Sequence, residues 1–198
     1  MAPGNRMVGK GTLEIGGEAA MVIGNVSGSG PGFPVVPNAG LALRYGLTDR
    51  FNVGGTTYPF YLIAHETIGF EPYCSGKLLS QGMKWPSVIS YFKLPLFLNF
   101  PEWNAFAFPV GGLTFNYAFG GILPYVGYEI AVDPDAEGVY RDVHHTVRSG
   151  ISWKTARGRW LSVELSLNSI GTPGFITNHP IGYPCINFGC SFPMGAKK

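Results

Sequence analysis

The residue types best able to do chemistry in this chain are its histidines and the acidic and hydroxyl residues near them. Asp142, His144 and Thr146 occupy alternate positions, so a strand would place all three side chains on one face. A carboxylate, an imidazole and a hydroxyl are the groups of a lipid hydrolase or acyltransferase. The chain lacks the Ser-His motif that such an enzyme would need. We therefore predict that the protein is not an enzyme and that His144 fills the interior of the fold.

Metal and cofactor chemistry has less support. His144 and His145 are adjacent, so a strand would point them to opposite faces, and no two histidines have ligand spacing on a shared face. The three cysteines also fit no metal-binding spacing, and a disulfide between Cys74 and Cys185 would need an oxidising compartment. The sequence predicts no metal and no cofactor.

The strands that would position these groups are clearest between residues 144 and 168. Odd positions from 161 to 167 are Leu or Val, whereas the even positions between them are Ser or Glu, which is the period of a strand with unlike faces. Ala156-Arg157-Gly158 fits a three-residue hairpin turn whose glycine takes a positive φ. The resulting register puts Arg148 diagonal to Glu164 on the polar face.

The composition indicates an unusual environment for these strands. Only 13% of the 198 residues are charged, against roughly 25% in an ordinary soluble domain, and aromatic residues reach 14%. No apolar run approaches the roughly 18 residues of a membrane helix. The net charge of +2, without a basic run, gives no support to nucleic-acid binding. If this chain contacts lipid, it does so with strands.

Ten strands give the chain a regular organisation. The connections TDR, KWP, FGG and ARG are short and alternate with longer ones, as in an antiparallel up-and-down transmembrane β-barrel with both termini at the short-turn end. In the sixth strand, an apparent change of phase at Gly111-Gly112 predicts a β-bulge. The predicted strands cover residues 10–25, 36–47, 51 to 64 or 66, 73–83, 88–98, 106–117, 122–132, 144–154, 160–168 and 183–192.

We expect one all-β domain over residues 1–198, with 1–9 as a flexible N-terminal segment and 193–198 as a C-terminal tail. Residues 1–10 lack the apolar core of a secretory signal, so we expect the signal of an exported protein to have been removed or to lie outside this sequence.

Alternation alone does not say which face points inward. A lipocalin-like soluble barrel has an apolar interior, whereas an outer-membrane barrel has an apolar exterior. The polar face here is rich in small residues, and tyrosine and tryptophan lie near strand ends on the apolar face, so we predict the membrane orientation. The charges on the polar face are nearly balanced, as expected for pairs inside a lumen. The predicted lumen charges are Glu14, Glu18, Arg44, Lys77, Lys93, Glu129, Arg148 and Glu164.

One segment has a family resemblance. Residues 40–55, GLALRYGLTDRFNVGG, resemble the hairpin of many Gram-negative outer-membrane β-barrel proteins, including barrel-type lipoproteins of poorly known role. The resemblance implies an outer-membrane location and no established activity. The chain departs from that pattern because it has no amino-terminal signal or lipidation cysteine and continues after Phe192 to Lys198.

We therefore expect a small outer-membrane barrel with a structural or interaction role. One candidate role is that of a component of a larger envelope assembly. The alternatives are a soluble carrier of a hydrophobic ligand and an outer-membrane lipid-modifying enzyme. Large inward residues such as Tyr91, Tyr125 and Trp160 favour a packed interior over a solute-selecting constriction. The expected partners are membrane lipid and envelope proteins that contact the longer loops. The loop-tip residues proposed for such contacts are Phe33, Pro34, Phe70, Tyr73, Phe175 and Ile176.

Overall fold

The strands of this protein form one antiparallel sheet. The computed structural model describes residues 5–22, 38–59, 67–101, 103–134, 140–170 and 183–194. No helix among these residues is both long and apolar enough to cross a membrane. The strands are β1 (Leu13–Val22), β2 (Asn38–Thr48), β3 (Phe51–Tyr58), β4 (Thr67–Leu79), β5 (Ser87–Lys93), β6 (Leu96–Asn99), β7 (Asn104–Ala107), β8 (Val110–Asn116), β9 (Ile122–Pro134), β10 (Tyr140–Lys154), β11 (Trp160–Ile170) and β12 (Tyr183–Met194).

The sheet closes on itself as a barrel. Its order is β3-β2-β1-β12-β11-β10-β9-β8-β5-β4, and β3 pairs with β4 to complete the ring. Strand β6 continues β5, and β7 leads into β8; both breaks contain a proline, Pro95 or Pro109, which has no amide hydrogen to donate. The barrel therefore has ten antiparallel up-and-down strands, which confirms the predicted fold class.

The hairpin of β10 and β11 has the predicted register. Gly150 pairs with Glu164, and Trp153 pairs with Leu161. Gly158 has φ 76°, a left-handed conformation that costs glycine little. Local alternation and turn chemistry were sufficient to predict this hairpin.

The fourth strand differs from its predicted bounds of 73–83. It begins six residues earlier, at Thr67, and ends at Leu79. The first four residues of β4 pair with β6. Pro72, in the middle of β4, interrupts the alternation and hides this part of the strand in the sequence pattern. Gln81 lies beyond the strand, where its side chain exchanges hydrogen bonds of 3.2 and 2.7 Å with the backbone of Ala118.

The predicted bulge at Gly111-Gly112 was wrong. Strand β8 pairs with β5 and β9 without a register shift, and Val110 is only 3% exposed because it faces inward. Packing explains why residue 112 is a glycine: it faces inward opposite Tyr91, and a Cβ there would overlap the tyrosine side chain. The apparent phase change in the sequence reflects an apolar residue, Val110, on the inner face.

Adding a methyl group at Gly112 is therefore expected to destabilise the barrel. Gly112→Ala would force Tyr91 out of position, at a cost of about 1–3 kcal/mol. Gly111→Ala is the matched control, since a Cβ there would meet nothing within 4 Å. Urea unfolding of both variants in lipid vesicles would measure the difference. Equal stability of the two variants would contradict the assigned packing of Tyr91.

The two faces of the barrel have opposite character. Leu165 is 57% exposed on the outside, whereas its neighbour Glu164 is 7% exposed and Arg148 is 2% exposed. Leu41 and Val126 are likewise outward and more than half exposed. The barrel is thus apolar outside and charged inside, as predicted for a membrane barrel and opposite to a soluble carrier.

Candidate functional site

Five charged side chains from five different strands form a continuous chain of ion pairs inside the barrel. Lys93 Nζ lies 3.8 Å from Glu71 Oε2 and 3.2 Å from Glu129 Oε2. Arg148 Nε lies 3.3 Å from Glu129 Oε1, and Arg148 Nη1 lies 3.5 Å from Glu164 Oε2. We call these five residues the lumen network. Because every charge in it faces an opposite charge, the cost of burying each one is offset.

Polar side chains from the same strands and from β8 and β12 contact the lumen network. Strand alternation points tyrosine, threonine and asparagine inward at the same level as the ion pairs, so the carboxylates and the guanidinium have neutral partners as well. Arg148 also lies over the ring of Tyr91, with Cζ 4.8 Å from its centroid. The hydrogen bonds are Tyr91 Oη to Glu129 Oε1 (2.7 Å), Tyr125 Oη to Glu164 Oε2 (3.0 Å), Asn187 Nδ2 to Glu164 Oε1 (3.0 Å) and Arg148 Nη2 to Thr114 Oγ1 (2.8 Å).

A second cluster of charges lies at the end of the barrel where the short turns are. Arg6 Nη2 donates to both oxygens of Glu14 at 2.5 and 2.6 Å and to Ser191 Oγ at 3.0 Å. Arg44 Nη2 lies 3.5 Å from Glu14 Oε2. The guanidinium of Arg6 also stacks 4.6 Å from the ring centroid of Trp160. Glu14 is therefore held between two arginines, one of which comes from outside the strands.

Arg6 belongs to an N-terminal strap, residues 5–8, that lies inside the barrel. Asn5 and Val8 are 0% and 1% exposed. Asn5 donates to Ser152 Oγ at 3.2 Å, and its carbonyl accepts from Asn116 Nδ2 at 2.8 Å. Through these contacts the strap reaches β8 and β10, in addition to the strands that Arg6 contacts. The sequence predicts a flexible segment over residues 1–9, because nothing in their composition distinguishes a strap from a free end.

Removing the arginine of the strap is expected to weaken the fold. Arg6→Ala leaves Glu14 buried with a more distant partner, at a cost of about 2 kcal/mol. Lys10→Ala removes an exposed cation a few residues away and should change stability by less than about 0.5 kcal/mol. Urea unfolding in lipid vesicles compares the two variants. A loss at Lys10 as large as that at Arg6 would count against the strap contacts.

The structure pairs six of the eight residues predicted for the lumen charges: Glu14, Arg44, Lys93, Glu129, Arg148 and Glu164. They fall into two clusters instead of one network. Glu18 lies opposite Gly40, where a Cβ would approach its Cγ to 3.1 Å. Lys77 forms no ion pair with any residue that the structure describes.

Two charged members of these clusters were missed from the sequence. Glu71 lies before the predicted start of the fourth strand, although it has the same parity as Tyr73, so an earlier start would have revealed it. Arg6 lies outside every strand, and no periodic signal marks it.

The three residues considered for catalysis all lie in β10, and two of them, His144 and Thr146, occupy inward-facing positions. His144 is buried at 9% exposure, and Thr146 pairs across the sheet with Glu129. Asp142 is within β10, and its side chain lies outside the described part of the chain. The absence of enzyme activity stays a prediction.

His145, Cys74 and Cys185 are divided between the outer and inner faces of the barrel. His145 is half-buried on the outer face, where its Nδ1 lies 2.5 Å from Tyr128 Oη and the rings stack at 5.9 Å. Cys74 and Cys185 are free thiols on opposite faces, so the disulfide considered between them does not form. No group of three or more metal-binding side chains occurs within the described ranges.

Two of the predicted loop-tip residues are in a strand. Phe70 and Tyr73 both lie in β4; Phe70 is 47% exposed on the outer face, and Tyr73 is 6% exposed inside the barrel. The prediction that they lie at loop tips was therefore wrong, because β4 starts earlier than its pattern indicated. Phe33, Pro34, Phe175 and Ile176 lie outside the described residues.

Comparison with solved structures finds distant likenesses. No protein-family model matches the chain, and a search of curated proteins found no match. The N-terminal β-barrel domain of Pseudomonas aeruginosa OprF is 10% identical, with a TM-score of 0.40; the match covers 94% of this chain and 100% of that one. Neisserial surface protein A (NspA) is 13% identical, with a TM-score of 0.32, over 91% of this chain and 93% of that one.

Proposed function

We propose that this chain is an outer-membrane β-barrel of a Gram-negative bacterium with a structural or interaction role, and that its lumen is closed. The orientation of the two faces supports the location. An exterior of Leu, Val, Ile and Phe gains from contact with lipid and would be costly in water, and the pairing of β3 with β4 closes the ten-stranded ring. An even number of antiparallel strands with short turns at one end is the bacterial form of such a barrel.

The lumen network is the single observation that carries the closed interior. Its ion pairs connect opposite charges from β4, β5, β9, β10 and β11 across the lumen, and Arg148 within it is only 2% exposed. A pathway for solutes needs charged groups that water can reach. Buried, paired charges instead hold the strands of a small barrel together.

Reconstitution into planar lipid bilayers tests the closed interior. We expect the purified protein to insert and to give no stable open channel, whereas a porin added as a control gives stepwise conductance. Frequent, long-lived openings of the full chain would overturn the proposal. Cell fractionation tests the location separately, with the protein expected in the outer-membrane fraction.

The interaction part of the role is assigned to the longer connections between strands. Their sequences contain Phe33 and Phe175 among small and polar residues, and loops on a rigid barrel are common sites of partner contact. Photo-crosslinking from these two positions in intact cells should capture a protein partner. Crosslinks to lipid alone would favour a purely structural role.

A further inference from the structure

The short-turn end of the barrel carries a strong excess of positive charge. Among the exposed turn residues that the structure describes there, one is acidic, Asp49, and it accepts a backbone hydrogen bond from Lys10 at 3.3 Å. In the sequence, by contrast, the longer connections and the strand residues next to them contain six acidic residues and one basic residue. The exposed cations of this basic rim are Lys10, Arg50, Lys84, Lys154, Arg157 and Arg159.

Large apolar side chains are exposed at the same level as the basic rim. Met83 and Trp85 are 97% and 69% exposed on the turn between β4 and β5, on either side of Lys84. Phe119 is 61% exposed on the turn between β8 and β9. Arg159 lies with Cζ 5.0 Å from the ring centroid of Phe192, at the end of the apolar exterior. Cations and apolar groups thus alternate where the apolar belt of the barrel ends.

We propose that the basic rim binds the anionic headgroups of phospholipids in the leaflet next to the short turns. The proposal rests on the proposed membrane location. Two features favour lipid over an acidic protein. The cations come from turns spread around the ring, next to β1, β3, β5, β10 and β11, and not from one compact patch. The rim also continues the apolar belt, so its neighbours in a bilayer are the headgroups of the lipids that cover the belt.

Spin-labelled lipids measure the preference directly. Wild-type protein in phosphatidylcholine vesicles should immobilise labelled phosphatidylglycerol about two- to fivefold more strongly than labelled phosphatidylcholine at low salt. The preference should fall as salt is added, because the cations are exposed.

A variant with Lys84→Gln, Arg157→Gln and Arg159→Gln should lose most of that preference. Arg141→Gln, which removes a cation near the opposite end of β10, is the matched control and should retain it. Equal preference in the triple variant and the wild type would overturn the proposal. Wild-type protein that binds a polyglutamate peptide through these three cations but shows no preference for phosphatidylglycerol would also overturn it. If no lipid of either kind is immobilised, the proposed membrane location itself fails.

Discussion

Arg148→Met is expected to lower the free energy of unfolding by about 3–5 kcal/mol, one of the largest losses of any single substitution in this barrel. Methionine leaves Glu129 and Glu164 buried at 9% and 7% exposure without the cation between them. A buried carboxylate that loses its partner retains the cost of leaving water. Urea-induced unfolding in lipid vesicles gives the change.

Two further variants separate the charge from the volume of the side chain. Lys154→Met, on the exposed end of the same strand, should change stability by less than about 0.5 kcal/mol. Adding Glu129→Gln to Arg148→Met should recover part of the loss, because the three carboxylates that share Lys93 as their one remaining cation are then reduced to two. If the double variant is as unstable as the sum of the single ones, the three residues are not coupled and the lumen network is wrong.

Leu165→Arg is expected to destabilise the barrel in a bilayer by about 2–4 kcal/mol, because position 165 is outward in the middle of β11. Leu47→Arg is the matched control: it is also outward, at 44% exposure, but lies one residue before the end of β2. Arginine near the interface should cost only about 0–1 kcal/mol.

The outcome of this pair depends on the environment of the exterior. In water, both arginines would replace exposed leucines and would have similar, small effects on stability. Equal free energies of unfolding for the two variants would therefore contradict a lipid-covered belt, whereas a large difference between them follows from depth in the bilayer.

The sequence predicted those parts of the fold in which local pattern and tertiary environment agree. Between 144 and 168, alternation, the glycine at 158 and the Arg148 and Glu164 diagonal all indicate the same hairpin. The residue types also predicted which face of the strands points into the barrel, since small residues and balanced charges suit an interior. These features depend on neighbours in the chain or across one turn.

The parts that the sequence did not predict depend on contacts between distant segments. Gly112 is small because Tyr91 of another strand lies against it, and no pattern within β8 shows this. Arg6 pairs with Glu14 from a segment without regular structure. Glu71 was missed because Pro72 interrupts the alternation in β4, although β3 still pairs along that stretch.

The central claim is that the outward leucines and valines contact lipid, and the collision rates of a spin label measure this most directly. In a background with the three cysteines changed to serine, a label at position 165 is compared with one at Arg157, which is exposed on the turn between β10 and β11. In vesicles, we predict that the label at 165 collides often with oxygen and rarely with a water-soluble nickel chelate, and that the label at 157 shows the reverse. Equal access of the nickel chelate to both positions would contradict the claim.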